Sequence, residues 1–143
     1  MLSKSSKYAI KAVTFLALNS SKEKKVMVKD IAEPINVPQA YIAKLLQDLV
    51  RFNIVSSVRV PKGGFYLDDK NKEQSVFSII NVIDGEKKLS TCMLSLGSCN
   101  ETKPCPLHNI LSASRDEILK NLKDKTIKEL SLDVKSGNSF LPL

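Results

Sequence analysis

The chain has 143 residues, with 22 Lys and Arg against 15 Asp and Glu, a net charge of +7, three cysteines and one histidine. No apolar run approaches the ~20 residues that span a bilayer, and the opening residues lack a charged-then-apolar secretory pattern. The odd cysteine count argues against a disulfide framework, so the expectation is a cytoplasmic protein with free or metal-bound thiols.

The charge is divided unevenly. Residues 1–72 hold 13 Lys and Arg against 6 Asp and Glu, whereas residues 73–143 hold 9 of each. A basic half joined to a neutral half fits a polyanion-binding module on a scaffold, and a solvated lysine surface is the bland alternative.

In chain order, Ser6 to Leu18 carries Ala9, Ile10, Ala12, Val13, Leu16 and Ala17, a wide apolar stripe that predicts a helix. After a polar turn at 20–25, Val28 to Ile35 reads as a short helix around Ile31 and Ala32, with Asn36 as a left-handed turn residue. Pro38 suits the first position of a third helix. That helix carries Tyr41, Ile42, Leu45, Leu46, Leu49 and Val50 to Phe52, with Asn53 as its cap. Two helices joined by a tight turn outline a helix-turn-helix. Ile54 to Val60 then alternates, Gly63–Gly64 breaks it and Phe65 to Leu67 resumes, which predicts a β-hairpin. Arg59 and Lys62 make its tip basic, and the glycines let the backbone approach something closely. The sum is a winged helix.

Val76 to Ile83 reads as a further helix ended by Asp84–Gly85. A long helix from about Pro106 to Lys123 carries Leu107, Ile110, Leu111, Ile118, Leu119 and Leu122 on one strip, which serves either core packing or a dimer seam. Thr126 and Glu129 form a capping box for a last helix, Ile127 to Leu132, and the tail from Lys135 reads as irregular. The expected fold is therefore mainly α with a small β-hairpin wing. Its divisions are a winged helix-turn-helix over 1–72, then a linker helix, a cysteine loop (about 85–105) and a long helix over 73–134, and a tail over 135–143.

All three cysteines and the histidine fall within 17 residues, as Cys92, Cys99, Cys105 and His108 in a C-x6-C-x5-C-x2-H pattern. Gly97, Pro104 and Pro106 keep the stretch from being helical. Thiolates and imidazole select zinc, copper or iron–sulfur centres. The spacing lacks the paired C-x2-C knuckles usual for structural zinc, which ranks an iron–sulfur centre ahead of zinc; three free thiols is the bland reading. One histidine, no paired acids and no phosphate loop leave an enzyme with little support.

Taken together, KYAIKAVTFLA, DIAEPINVPQAYIAKLL, SSVRVPKGGFYL, VFSIINVIDG, the three-cysteine loop, CPLH and TIKEL resemble the Rrf-type winged-helix regulators of bacteria, the family of IscR, NsrR and CymR. The resemblance covers nearly the whole chain. It implies a homodimeric transcription regulator in which the long helix crosses the partner's and each loop holds an iron–sulfur cluster, 2Fe–2S ahead of 4Fe–4S or zinc. Cys92, Cys99 and Cys105 match the family's cluster ligands, and His108 the position of a fourth ligand in IscR-like members. Tyr41 and Arg59 match recognition-helix and wing positions. A palindromic double-stranded DNA site would place two recognition helices roughly 34 Å apart. Beside them, Gln39 and Lys44 suit base contacts, and Lys4, Lys29 and Lys62 phosphate contacts; with Gly63 and Gly64 these complete the expected DNA surface.

Four positions and one spacing depart from the pattern. Val60 and Lys62 stand where many members have glycines, and Ala43 where IscR has a glutamate. The first cysteine gap is six residues where five is common, and Lys7 replaces the acidic ligand of nitric-oxide-sensing members. A same-fold regulator without a cluster, sensing thiol oxidation or a partner protein, is the alternative. Neither a membrane nor a small-molecule substrate is implied.

Overall fold

The computed structural model describes residues 2–59, 63–94 and 96–142. Seven α-helices and a two-stranded hairpin are seen among these residues. Helix α1 (Lys4–Asn19) starts at Ser3, whose side chain accepts the Ser6 N–H. It buries Ala9, Ala12, Val13 and Leu16, the i, i+3, i+4, i+7 stripe of a core-facing helix. Helices α2, α3, α5 and α7 pack around it.

Helix α2 (Val28–Ile35) tolerates Pro34 in its last turn and stops at Asn36, which is left-handed (φ 58°) and donates its N–H to the Ala32 and Glu33 carbonyls. Helix α3 (Gln39–Arg51) begins one residue later than the sequence suggests. Pro38 is its cap, with an extended ψ of 136°, rather than its first helical residue. Ile42, Leu45, Leu46 and Leu49 point inward. Asn53 takes the second left-handed conformation (φ 60°) and ends α3 as expected.

The hairpin is shorter than the alternating pattern predicts. Ile54 and Val55 are buried in the core, and only β1 (Ser56–Val58) and β2 (Gly64–Tyr66) pair, antiparallel, with Ser57 opposite Phe65. Val26 joins as an isolated third rung, exchanging both backbone hydrogen bonds with Phe65 at 2.8 Å. Ser20, buried at the end of α1, accepts the Leu67 N–H at 3.1 Å. A helix the sequence did not suggest, α4 (Asp69–Lys72), follows, closed by a capping box between Asp68 and Asn71.

Helix α5 (Val76–Asp84) ends at Gly85 (φ 87°). Helix α6 (His108–Asp124) starts two residues later than expected, and none of its side chains is buried. Along its strip Leu107, Leu111, Ile118, Leu119 and Leu122 are half-buried, while Ile110 is 68% exposed. It packs against α5 and the cysteine loop, and its far end is clamped where Val76 donates to the Lys125 carbonyl and Ile127 to that of Gln74, both at 2.9 Å. Helix α7 (Ile127–Lys135) has the expected Thr126–Glu129 capping box but runs three residues further, so the irregular tail begins at Ser136. One hydrophobic core takes in residues from Ala9 to Ile127. Among the described residues no helix is long and apolar enough to cross a membrane.

Candidate cysteine–histidine site and nucleic-acid face

Gly85 releases the chain from α5 into a loop that returns at α6. A 3-10 turn, Lys88–Ser90, seats Leu89 as the loop's buried anchor. Thr91 then bridges Ser98, and Cys92 donates its N–H to the Gly97 carbonyl at 3.4 Å. This closes a small lobe that leaves Met93, Leu94 and Leu96 exposed and brings Cys99 back beside Cys92. The Asn100 carboxamide accepts the N–H groups of Thr102 and Lys103, turning the chain towards Cys105. Finally, His108 donates its N–H to the Cys105 carbonyl at 2.9 Å, which starts α6 with the imidazole facing the loop.

The four soft donors meet as two pairs. Cys92 Sγ lies 3.7 Å from Cys105 Sγ, and Cys99 Sγ lies 2.9 Å from His108 Nδ1. All three cysteines are half-buried. Together with His108 they line a cavity of about 10 Å³ closed by Met93, Leu107, Leu111, Ser112 and Arg115. For metal–sulfur bonds of ~2.3 Å, two thiolates on one tetrahedral ion stand ~3.8 Å apart, and the Cys92–Cys105 separation fits that edge. Among the described residues, however, no three of the His, Cys, Asp and Glu side chains are arranged around a single ion point. The donor chemistry suits a metal–sulfur group, and the arrangement is two pairs rather than one tetrahedron. No side chain caps the start of α6, and the His108 ring nitrogen meets the Cys99 sulfur instead.

The other candidate surface is built on α3. Gln39, Ala40, Lys44, Gln47 and Arg51 are exposed along it, while Tyr41 is half-buried. The Tyr41 hydroxyl shares a 2.6 Å hydrogen bond with Ser5, and its ring stands edge-on to Tyr8 at 5.9 Å. Its polar atom is thus used within the protein. Gln47 and Arg51 were overlooked in sequence, although their helical spacing from Lys44 was the signal. Arg59 is exposed just beyond β1, and Lys4 is exposed at the start of α1. Lys29 is exposed on α2 and pairs with Glu33 at 3.9 Å. Gly63 is half-buried, and Lys62, like Val60, lies outside the described residues. What Gly64 lets approach is its own chain, since a Cβ there would stand 2.8 Å from the Val26 carbonyl oxygen.

The two regions meet at the first turn of α1. The Asp84 carboxylate, at the end of α5 and the mouth of the cysteine loop, accepts the hydroxyls of Ser3 and Ser6 and the Ser3 N–H. Burial pushes this carboxyl up, but those hydrogen bonds and the nearby Lys88 charge outweigh it and hold it below its ordinary value.

Residues 2–133 match the sequence profile of the Rrf2 family, described as an iron-dependent transcriptional regulator. The chain belongs to the Rrf2 family. It is 31% identical over 126 residues to an Aquifex aeolicus protein named as a candidate HTH-type transcriptional regulator, covering 87% of this chain and 86% of that one. It is 30% identical over 129 residues to the HTH-type transcriptional regulator IscR of Pectobacterium atrosepticum, covering 90% and 77%. In structure it is similar to CymR, the global cysteine regulator of B. subtilis, with a TM-score of 0.75 at 22% identity over 92% of this chain and 95% of that one. This Rrf2-family protein is thus a transcription regulator of the winged-helix type and not an enzyme. The β1–β2 hairpin is the wing of that fold.

Proposed function

We propose that the protein is a cytoplasmic, homodimeric regulator whose grip on double-stranded DNA is set by an iron–sulfur cluster. Cys92, Cys99, Cys105 and His108 would hold that cluster. The observation that carries this reading is the convergence of the four soft donors of the loop into two adjacent pairs. Two pairs suit a two-iron, 2Fe–2S centre, with two protein ligands per iron, better than they suit one zinc ion. When bound, the cluster would supply a redox-active and dissociable group. The chain's part is to close the lobe over 91–98 around it, and to relay its state through Asp84 to α1 and so to α3.

The dimer reading rests on α6. A 17-residue helix, about 26 Å long, that buries no side chain and exposes Ile110 leaves part of its apolar strip, with half-buried Ile118, Leu119 and Leu122, for a second copy. Two copies would set their α3 helices for a palindromic operator, with half-sites roughly 34 Å apart. On each, Gln39, Lys44 and Arg59 would face the bases or backbone, with Lys4, Lys29 and Lys62 on phosphate.

Iron, acid-labile sulfide and zinc per chain, measured on anaerobically purified protein together with its visible spectrum, test the cluster. A brown protein that Cys99→Ala bleaches, with helical circular dichroism unchanged, is the expected result. A colourless protein that iron and sulfide cannot reconstitute refutes it.

A second reading has one observation in its favour, the 3.7 Å between the Cys92 and Cys105 sulfurs. Peroxide could draw two electrons and two protons from this thiol pair, forming a disulfide and water. DNA binding would then respond to peroxide, stay indifferent to iron, and lose its response in Cys105→Ser.

A further inference from the structure

Arg115 belongs to no part of the DNA-reading surface and lies seven residues along α6 from His108. His108, Leu111, Ser112 and Arg115 form one face of that helix, the face that closes the cysteine cavity. Arg115 is held there. Its side chain is 21% exposed, whereas its ion-pair partner Asp116, at 3.8 Å, is 70% exposed and looks outward. The guanidinium therefore has one water-facing carboxylate on one side and the sulfurs on the other. It lines the cavity beside Cys92, Cys99 and Cys105. Among the described residues it is the only cation lining the cavity, against a wall otherwise made of Met93, Leu107, Leu111 and Ser112.

We propose that Arg115 is a positioning residue of the sensor site: it holds a fixed positive charge beside the cysteine sulfurs and sets the reduction potential of the metal–sulfur group held there. This rests on the cluster reading above. Three thiolates and a neutral imidazole leave such a group negatively charged, and adding an electron deepens that charge. A fixed cation beside the ligand sulfurs stabilises the reduced form more than the oxidised one. Arginine suits the task because its guanidinium keeps its charge at all working pH values.

The test is a redox titration of the reconstituted protein, followed by visible absorption, for wild type, Arg115→Gln, Arg115→Lys and Lys120→Gln. Lys120 is exposed on the same helix outside the cavity, so its removal changes the charge without touching the site. At the wild-type midpoint, Arg115→Gln should lower the ratio of reduced to oxidised protein about tenfold, a shift of roughly 59 mV for one electron. Arg115→Lys should recover part of that loss, and Lys120→Gln should leave the ratio unchanged. Failure of Arg115→Gln to retain iron and sulfide, with its helical circular dichroism intact, also supports the assignment. A potential unmoved in Arg115→Gln, or moved equally in Lys120→Gln, overturns it. If the wild type itself takes up no iron and sulfide, the cluster reading fails first, and the two failures are distinct.

Discussion

Asn71 offers the sharpest test of how the wing is held against α3. It is 4% exposed, and its carboxamide serves three elements at once. The oxygen accepts the Ser56 hydroxyl of β1 at 2.8 Å and the Asp68 N–H at 2.9 Å, and the nitrogen donates to the Asn53 carbonyl just beyond α3 at 2.9 Å. Asn71→Ala removes all three. The Ser56 hydroxyl can rotate and the Asn53 carbonyl lies near solvent, so the full penalty falls mainly on the Asp68 N–H. At about 1–3 kcal/mol for a stranded half-buried donor and roughly 0.5–1.5 kcal/mol for each of the other bonds, the loss should be about 2–6 kcal/mol. For a chain of this size that lowers Tm by roughly 4–24 °C, at about 2–4 °C per kcal/mol. Urea unfolding should show a lower midpoint with an unchanged slope. Duplex-DNA affinity should weaken as well, because the wing and α3 lose their common tether. A loss under ~0.5 kcal/mol, the level of an ordinary surface substitution, would refute the reasoning.

Three further outcomes follow from contacts already described. Gly64→Ala should cost about 1–3 kcal/mol by overpacking, since its Cβ would meet the Val26 carbonyl oxygen at 2.8 Å; an unchanged Tm would show that the Val26–Phe65 rung yields freely. Tyr41→Phe should cost about 1 kcal/mol of stability for the lost Ser5 hydrogen bond and leave DNA affinity within about twofold. A tenfold affinity loss, or 1.4 kcal/mol, would place that hydroxyl on DNA instead. The Asp84 carboxyl titrates below its ordinary value when folded, so its share of stability is complete above the unfolded pKa near ~3.9 and is lost as pH falls through the folded value. The Tm gap between wild type and Asp84→Asn should therefore be constant from pH 7 to about 5 and narrow below ~4; a gap that stays constant down to pH 3 would count against the Ser3–Ser6–Asp84 network.

Much of the fold was legible because its signals are local. Helical periodicity located α1, α2, α3 and α5, the Thr126–Glu129 pair located α7, and both left-handed asparagines fell at the helix ends where their short polar side chains tolerate that backbone. The errors lie where a distant partner overrides local preference. Ile54 and Val55 alternate like strand residues, yet the core captures them and β1 begins only at Ser56. Helix α4 has only four residues, too few for any periodicity, and it exists because Asn71 satisfies groups on β1 and beyond α3. The exposure of the α6 strip was likewise open in sequence, since an apolar stripe looks the same whether it meets its own core or another chain.

The cysteine loop divides in the same way. Residue types and spacing alone determined that Cys92, Cys99, Cys105 and His108 form a concentration of soft donors, because ligand chemistry is a property of side chains. Only the tertiary structure decided that they meet as two pairs, that His108 turns inward at the start of α6, and that Arg115 closes the cavity one further stretch along that helix. Pairing and enclosure depend on where a folded backbone brings residues far apart along the chain, and no spacing rule for a loop of mixed turns encodes that.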